Sequence, residues 1–387
     1  MPLFLTIVLD GVGIGAQPDA HEYGDENSHT LGHVCEVAQP VLPNLEKLGL
    51  GCIEPLAGLK AVIQPLASFG KMREVSAGKD STTGHWELAG IKLSQPFPTF
   101  PQGFPDDLSA AFCQKTGYSG VLGNYPASGT AIIADHGAAH EQTGLPIVYT
   151  SADSVFQVAA HKEFLALDEL YRICDIARHE ICVGPYGVGR VIARPFVGVA
   201  GDYQRVSAER KDYSILPPQK PIQARLQEIG VRTVSVGKIA DLFGSVGFDE
   251  SYKTKSNTEG IKRTLALIDS VEPDENVFIW VNLVDFDQEF GHRNNPNGFA
   301  RALEEFDQAI PQFIEKLAAD SVWVITADHG NDPTTPGTDH SREYVPVLKY
   351  RKSDKGESLG LRKSFSDHAA TVACFFNLEA EFEAVGF

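Results

Sequence analysis

The sequence predicts an α/β fold around a mostly parallel sheet, and two observations carry that expectation. Three uninterrupted apolar runs, FLTIVL (4–9), VFIWVNLV (277–284) and SVWVIT (321–326), are rich in β-branched and aromatic residues, as strands buried on both faces are. Segments with helical periodicity alternate with them, which is the pattern of strands joined by crossover helices.

FLTIVL opens the chain as a buried strand and not as a signal peptide, because no basic residues precede it and Asp10 ends it. IQARLQEIG followed by VRTVSVG (231–237) reads as a helix and the next strand. Between the last two apolar runs lies GFARALEEFDQAIPQFIEKL (298–317). Its residues Phe299, Leu303, Phe306, Ile310, Phe313 and Leu317 recur at steps of four and three, so the segment is a helix with one buried face. Pro311 is expected to kink it. DHAATVACFFNL (367–378) reads as a further helix.

The alternation breaks in the middle of the chain. SQPFPTFPQGFP (94–105) and LPPQKP (216–221) are proline clusters of the kind that connect domains. Between them, LPIVYT (145–150) and RVIARPFVG (190–198) are strand-like and LDELYRICDIAR (167–178) is helical. Residues 98–216 are therefore expected to form a smaller α/β domain inserted into a discontinuous core domain, residues 1–97 with 217–387.

Composition narrows the function. The 387 residues carry a net charge of −18, which argues against nucleic acid or an anionic membrane surface as partner. No obligate protein partner is evident. Six scattered cysteines without a CxxC pair fit a reducing, cytoplasmic setting and no disulfide framework. If the substrate is a phosphate, so acidic a chain needs local cations, and bound metal ions are the obvious source.

Each buried strand ends in an acid: Asp10 after FLTIVL, Asp285 and Asp287 after VNLV, Asp328 after WVIT. In a parallel sheet these ends share one edge, where such folds place their sites. Carboxylates gathered there repel one another unless a cation neutralises them. His292, His329 and His340 follow close behind. Oxygen and imidazole ligands in this ratio suit Mn, Zn or Fe ions, and about six ligands suit two ions, the usual clamp for phosphoryl transfer. The residues alone do not choose between Asp285 and Asp287.

Two lookalikes fail. GVGIGA (11–16) matches a dinucleotide fingerprint, but Pro18 and the polar stretch after it cannot continue as the required helix. GKDS (78–81) ends like a Walker loop, yet Arg73 stands where the first glycine belongs.

IVLDGVGIGAQPDA, GDENSHTLGH, GKDSTTGHWE, PASGT, TSADSVFQVAAH, VGRVIARPFVG, TKSN, NLVDFDQEFGHR and ITADHGNDPTTPGTDHSREYVPVL together resemble the bacterial phosphopentomutase family of the alkaline phosphatase superfamily. The likeness runs in order from Leu5 to about Val372. It implies an alkaline-phosphatase-like core with an inserted α/β cap and two Mn²⁺ ions. Asp10, Asp328 and His329 would hold one ion with the nucleophile's oxygen, and Asp287, His292 and His340 the other. The second acid of VDFD is the family's ligand, which selects Asp287. The phosphate acceptor follows the Asp of GKD, hence Ser81, where close family members carry threonine. Ala131 stands where a glutamate is expected. Ser151, Asp153, Arg190, Arg205 and Lys238 match residues near the sugar phosphate. The implied reaction interconverts ribose 1-phosphate and ribose 5-phosphate, and the 2-deoxy analogues, through a phosphoenzyme and a 1,5-bisphosphate. A sugar bisphosphate such as glucose 1,6-bisphosphate primes it. The nearest alternatives are another phosphosugar mutase or a metal-dependent phosphatase of the same superfamily.

Overall fold

A computed structural model describes residues 3–151, 154–379 and 382–387. The chain forms two compact units, Met1–Pro96 together with Pro217–Phe387, and Phe97–Leu216. Strands are numbered in chain order. The core unit begins with β1 (Leu3–Leu9) and β2 (Ala67–Met72). The inserted unit holds β3 (Leu122–Pro126), β4 (Ile147–Thr150), β5 (Val155–His161), β6 (Arg190–Val199), β7 (Asp202–Arg205) and β8 (Lys211–Ser214). The core resumes with β9 (Arg232–Val236), β10 (Glu250–Tyr252), β11 (Val277–Leu283), β12 (Val322–Thr326), β13 (Val345–Tyr350) and β14 (Ser358–Arg362).

The core sheet has the order β10-β9-β11-β1-β12-β13-β2-β14. The block from β10 to β12 is parallel throughout. β13 is antiparallel to both β12 and β2, while β14 runs parallel to β2, so β13 alone opposes the rest. That reversal matters for the site: the start of β13, not its end, lies at the edge where the other strands finish. β1, β11 and β12 are buried at every position, because helices cover the sheet in two separate groups. Helices Thr30–Ala38, Pro43–Leu48, Asn257–Asp269 and Pro296–Lys316 form one group. Ser81–Leu88, Ile222–Glu228, Ile239–Leu242 and Ser366–Phe375 form the other. Trp280 is fully buried among His85, Phe243, Phe278 and His368, locking the second group to β11.

The helix Pro296–Lys316 runs across Pro311 as one element. Pro311 lacks the N–H that would bond the Asp307 carbonyl. Asn44 Nδ2 replaces it at 3.1 Å, while the Asp307 carboxylate accepts the Asn44 and Leu45 amides and so caps the helix Pro43–Leu48.

The inserted unit is a six-stranded sheet, β3-β4-β5-β6-β7 with β8 on β6. One hydrophobic cluster is centred on Phe112, Phe156, Ile173 and Val191, another on Ile132, Tyr149 and Phe196. All six cysteines are free thiols, and among the described residues no helix is long and apolar enough to cross a membrane.

Candidate metal centre

The strand-end acids do meet at one edge. Asp10 follows β1 and Asp328 follows β12, both completely buried. Gly11 turns the chain with a φ of 74°, and its amide donates to Asp328 Oδ1 at 3.1 Å. A side chain there would be strained at this positive φ, and its Cβ would press on Asn331 Cβ at 3.1 Å. The glycines of GVGIGA thus serve a tight turn beside carboxylates, with no helix to hold a dinucleotide.

After β11 the chain enters a π-helical turn, Phe286–Gly291. The turn separates the two acids that strand alternation would have left on one face. Asp285 leaves the edge: its carboxylate accepts the Asn257 amide at 2.7 Å, and its own amide donates to Asn257 Oδ1. Asp287 turns inward and is buried, 3.3 Å from His292 Nε2 and 3.3 Å from His340 Nε2. The wide turn closes with the His292 amide on the Asp287 carbonyl, which fixes their spacing.

Two groups of ligand atoms could each hold a metal ion: Asp10, Asp328 and His329, and Asp287, His329 and His340. His329 is common to both, whereas His292 stands beside the second through Asp287. The chemistry of the donors fits ions better than it fits the protein alone. Asp10 Oδ1, Asp328 Oδ2 and His340 Nε2 are buried without a directed hydrogen bond, a costly arrangement unless a cation satisfies them. The protonation states point the same way. Burial pushes Asp287 up, but His340 and His292 outweigh it and hold the carboxyl well below its usual range. Burial likewise opposes ionisation of Asp328, and His329 and His85 overcome it. Burial presses His329 toward neutrality, yet Asp328, Asp10 and Asp287 keep it protonated well above the ordinary imidazole value. Asp287 similarly offsets burial at His292 and pushes it up to about 9.

Ser81 is the first residue of the helix Ser81–Leu88. Asp80 caps that helix, accepting from the Thr82 and Thr83 amides and from Thr83 Oγ1. Its helix packs directly on the metal edge, for a Cβ at Gly84 would lie 2.0 Å from the Asp328 carbonyl oxygen. Ser81 Oγ is 3.0 Å from His329 Nε2 and 2.9 Å from Lys238 Nζ. Lys238, which follows β9 at the same edge, also pairs with Asp10 Oδ2 at 2.5 Å. Burial opposes its charge, but Asp10, Asp287 and Asp328 raise its pKa above the usual lysine value.

Two further residues carry weight that the sequence did not announce. His85 Nδ1 is 2.8 Å from the Ser81 carbonyl and 3.1 Å from Asp328 Oδ2. Its position four residues after Ser81, on the same helical face, was the available signal. Asn331 Nδ2 donates to Asp287 Oδ1 at 2.7 Å, and nothing in its loop sequence marks it. Ser151, Arg190 and Arg205 belong to the inserted unit. Arg190 pairs loosely with Asp212 at 3.7 Å, and Arg205 lies beside the start of the helix Gly129–Thr143. Ala131 sits in the first turn of that helix, its amide donating to Ser128 Oγ. Asp153 lies outside the described residues.

A family model for the metalloenzyme superfamily matches residues 1–380. A phosphopentomutase of Carboxydothermus hydrogenoformans is 52% identical over 381 residues, 98% of this chain and 97% of the relative. One from Caldanaerobacter subterraneus is 51% identical over 375 residues, 97% and 94% of the two chains. The chain belongs to the phosphopentomutase family. It is thus an isomerase of the intramolecular phosphotransferase kind within a superfamily of metalloenzymes. Among solved structures, the phosphoglycerate mutase of Leishmania mexicana is 13% identical with a TM-score of 0.50, covering 100% of this chain and 97% of that one. That likeness, over the full length of this phosphopentomutase-family chain, is one of fold.

Proposed function

We propose that this chain interconverts ribose 1-phosphate and ribose 5-phosphate, and their 2-deoxy analogues, through a phosphoserine at Ser81. The observation that carries the reading is the setting of Ser81 Oγ at the head of a helix, within 3.0 Å of Lys238 and of His329, the residue common to the two candidate ligand groups. Asp10, Asp328 and His329 are the proposed holders of one Mn²⁺ ion, and Asp287, His292 and His340 of a second. Divalent ions bound there supply Lewis acidity that lowers the basicity of a serine oxygen and offsets phosphoryl charge.

The chain's own groups do the rest. Asp80 and the helix it caps fix Ser81 in place, and the helix N-terminus favours negative charge on its oxygen. Lys238 keeps a cation on that oxygen throughout, a fixed charge in a buried site. A sugar bisphosphate primes the enzyme: the Ser81 oxygen forms its bond to phosphorus as the phosphorus–sugar oxygen bond breaks, and the serine's proton ends on the sugar hydroxyl that is released. The phosphoserine then passes its group to the free hydroxyl of a pentose monophosphate, giving the 1,5-bisphosphate, and Ser81 takes back the other phosphate. Ser151, Asp153, Arg190 and Arg205 are the proposed contacts for the sugar and its distal phosphate, where arginine binds oxygen pairs in bidentate fashion.

A coupled assay of ribose 1-phosphate with Mn²⁺, with and without glucose 1,6-bisphosphate, tests this. Ribose 5-phosphate is expected, faster with the primer. Release of inorganic phosphate in its place would identify a phosphatase.

A further inference from the structure

Three loops bring the site together, and one buried side chain holds all three. The first runs on from Asp10 through Asp19, Tyr23 and Asp25. The second, residues 73–80, leads from β2 to Ser81. The third carries His340 and then Arg342 into β13. The Arg342 side chain is 2% exposed. Its Nη1 donates to Glu74 Oε2 at 2.8 Å and to the carbonyls of Ser76 at 2.8 Å and Gly78 at 2.7 Å. Its Nη2 donates to the Glu74 carbonyl and to Asp19 Oδ2, both at 3.0 Å. The guanidinium lies 5.2 Å from the centre of the Tyr23 ring, whose hydroxyl accepts the Gly78 amide. The Arg342 amide donates to Asp25 Oδ2, and Lys79 donates to the same carboxylate.

The loop before Ser81 forms no strand or helix of its own, so its buried backbone groups need partners from elsewhere. Glu87, in the same helix as Ser81, accepts its Val75 and Ser76 amides, and Arg342 takes the carbonyls of Glu74, Ser76 and Gly78. Arg342 is two residues from His340 along a buried chain, so moving either loop moves the other.

We propose that Arg342 is a positioning residue that sets the Ser81 loop against the His340 side of the metal edge, through three backbone carbonyls at once. Its side-chain hydrogen bonds go to Glu74, Ser76, Gly78 and Asp19, none of them a candidate ligand. Lysine cannot take its place, since one ammonium has three donors radiating from a single point and no planar fork. The inference rests on Ser81 being the phosphoryl acceptor, and the experiment separates the two claims.

The rate of Ser81 phosphorylation by glucose 1,6-bisphosphate, followed by intact-protein and peptide mass spectrometry at saturating Mn²⁺, is to be measured in wild type, Arg342→Lys and Glu74→Gln. Arg342→Lys is expected to phosphorylate and turn over about 10- to 100-fold more slowly, with metal content and KM unchanged. Glu74→Gln breaks the same ion pair but leaves the Ser76 and Gly78 contacts, so it is expected to lose thermal stability and keep the rate. A wild-type rate in Arg342→Lys, or equal losses in both variants, overturns the positioning role. A slow Arg342→Lys whose loss follows lost metal or raised KM overturns it too. A wild-type protein with no phosphate on Ser81 removes the parent reading, and this one with it.

Discussion

A serine hydroxyl is a weak nucleophile at neutral pH, so whichever residue of GKDSTTGHWE reacts must have its reactivity imposed by neighbours. Only Ser81 has such neighbours. Thr83 Oγ1 is spent on Asp80, and the amides of Thr82 and Thr83 serve the same cap. Ser81→Ala is therefore expected to abolish phosphoprotein formation and turnover. Thr83→Ala should keep both while costing about 1 kcal/mol of stability for the lost hydrogen bond, read from a denaturant midpoint. The proposed acceptor's place rests on the family likeness; three adjacent hydroxyls carry no local signal to rank them. The acids were legible as strand ends, but only the family likeness chose Asp287 over Asp285, because the π-helical turn that parts them has no composition signature. Protonation gives a second test. In the metal-free chain Asp287 outweighs burial and raises His292 to about 9, and His329 is raised as well, so both carry protons near pH 7. Ligation requires neutral imidazole, so metal binding at pH 7 should release protons. The His292 share of that release should fade as pH climbs through about 9. Calorimetry in buffers of differing ionisation enthalpy reads this directly, and binding without proton release would contradict it.

The sheet turns a scattered set of residues into one edge. β1, β11, β12 and β9 deliver Asp10, Asp287, Asp328 and Lys238 from their ends, and the reversed β13 delivers His340 from before its start. The parallel block was legible because strands buried on both faces leave long apolar runs. The reversal of β13 was not, since YVPVLKY has no feature that states its direction. Pro311 teaches the converse lesson. Its helix continues past it as one element, and Asn44, some two hundred and sixty residues away, bonds the carbonyl that proline leaves bare. Asn44→Ala should destabilise the core by about 1–3 kcal/mol, since Asp307 would then keep buried oxygens unpaired. Metal content and phosphorylation of the folded variant should be unchanged; loss of metal would show that this helix pair supports the site.

The molecule keeps its candidate ligands in one unit and two of its arginines, Arg190 and Arg205, in the other. The proline-rich segments at 94–105 and 216–221 lie at the ends of the inserted unit, Phe97–Leu216, and interrupt both helical and strand periodicity; the pairing of β8 with β6 in the inserted sheet left no such mark. All three tryptophans, Trp86, Trp280 and Trp323, fall in the core unit. Their emission therefore reports unfolding of the ligand-bearing unit alone. Mn²⁺ should raise the tryptophan-detected midpoint by mass action, and chelation should lower it. Hydrogen exchange within residues 122–214 is expected to change far less. At this scale the net charge of −18 bears on the proposal too: for so acidic a chain to handle phosphates, cations are needed at the carboxylate edge. The central claim is that a phosphoryl group rests on Ser81 between its two positions on the pentose. The most direct test is to incubate the Mn²⁺-loaded protein with glucose 1,6-bisphosphate and map the phosphate by peptide mass spectrometry. One phosphate on Ser81, discharged on adding ribose 5-phosphate, is the result predicted. Phosphate on Thr82, on Thr83 or on no residue, with sugar turnover intact, would contradict it.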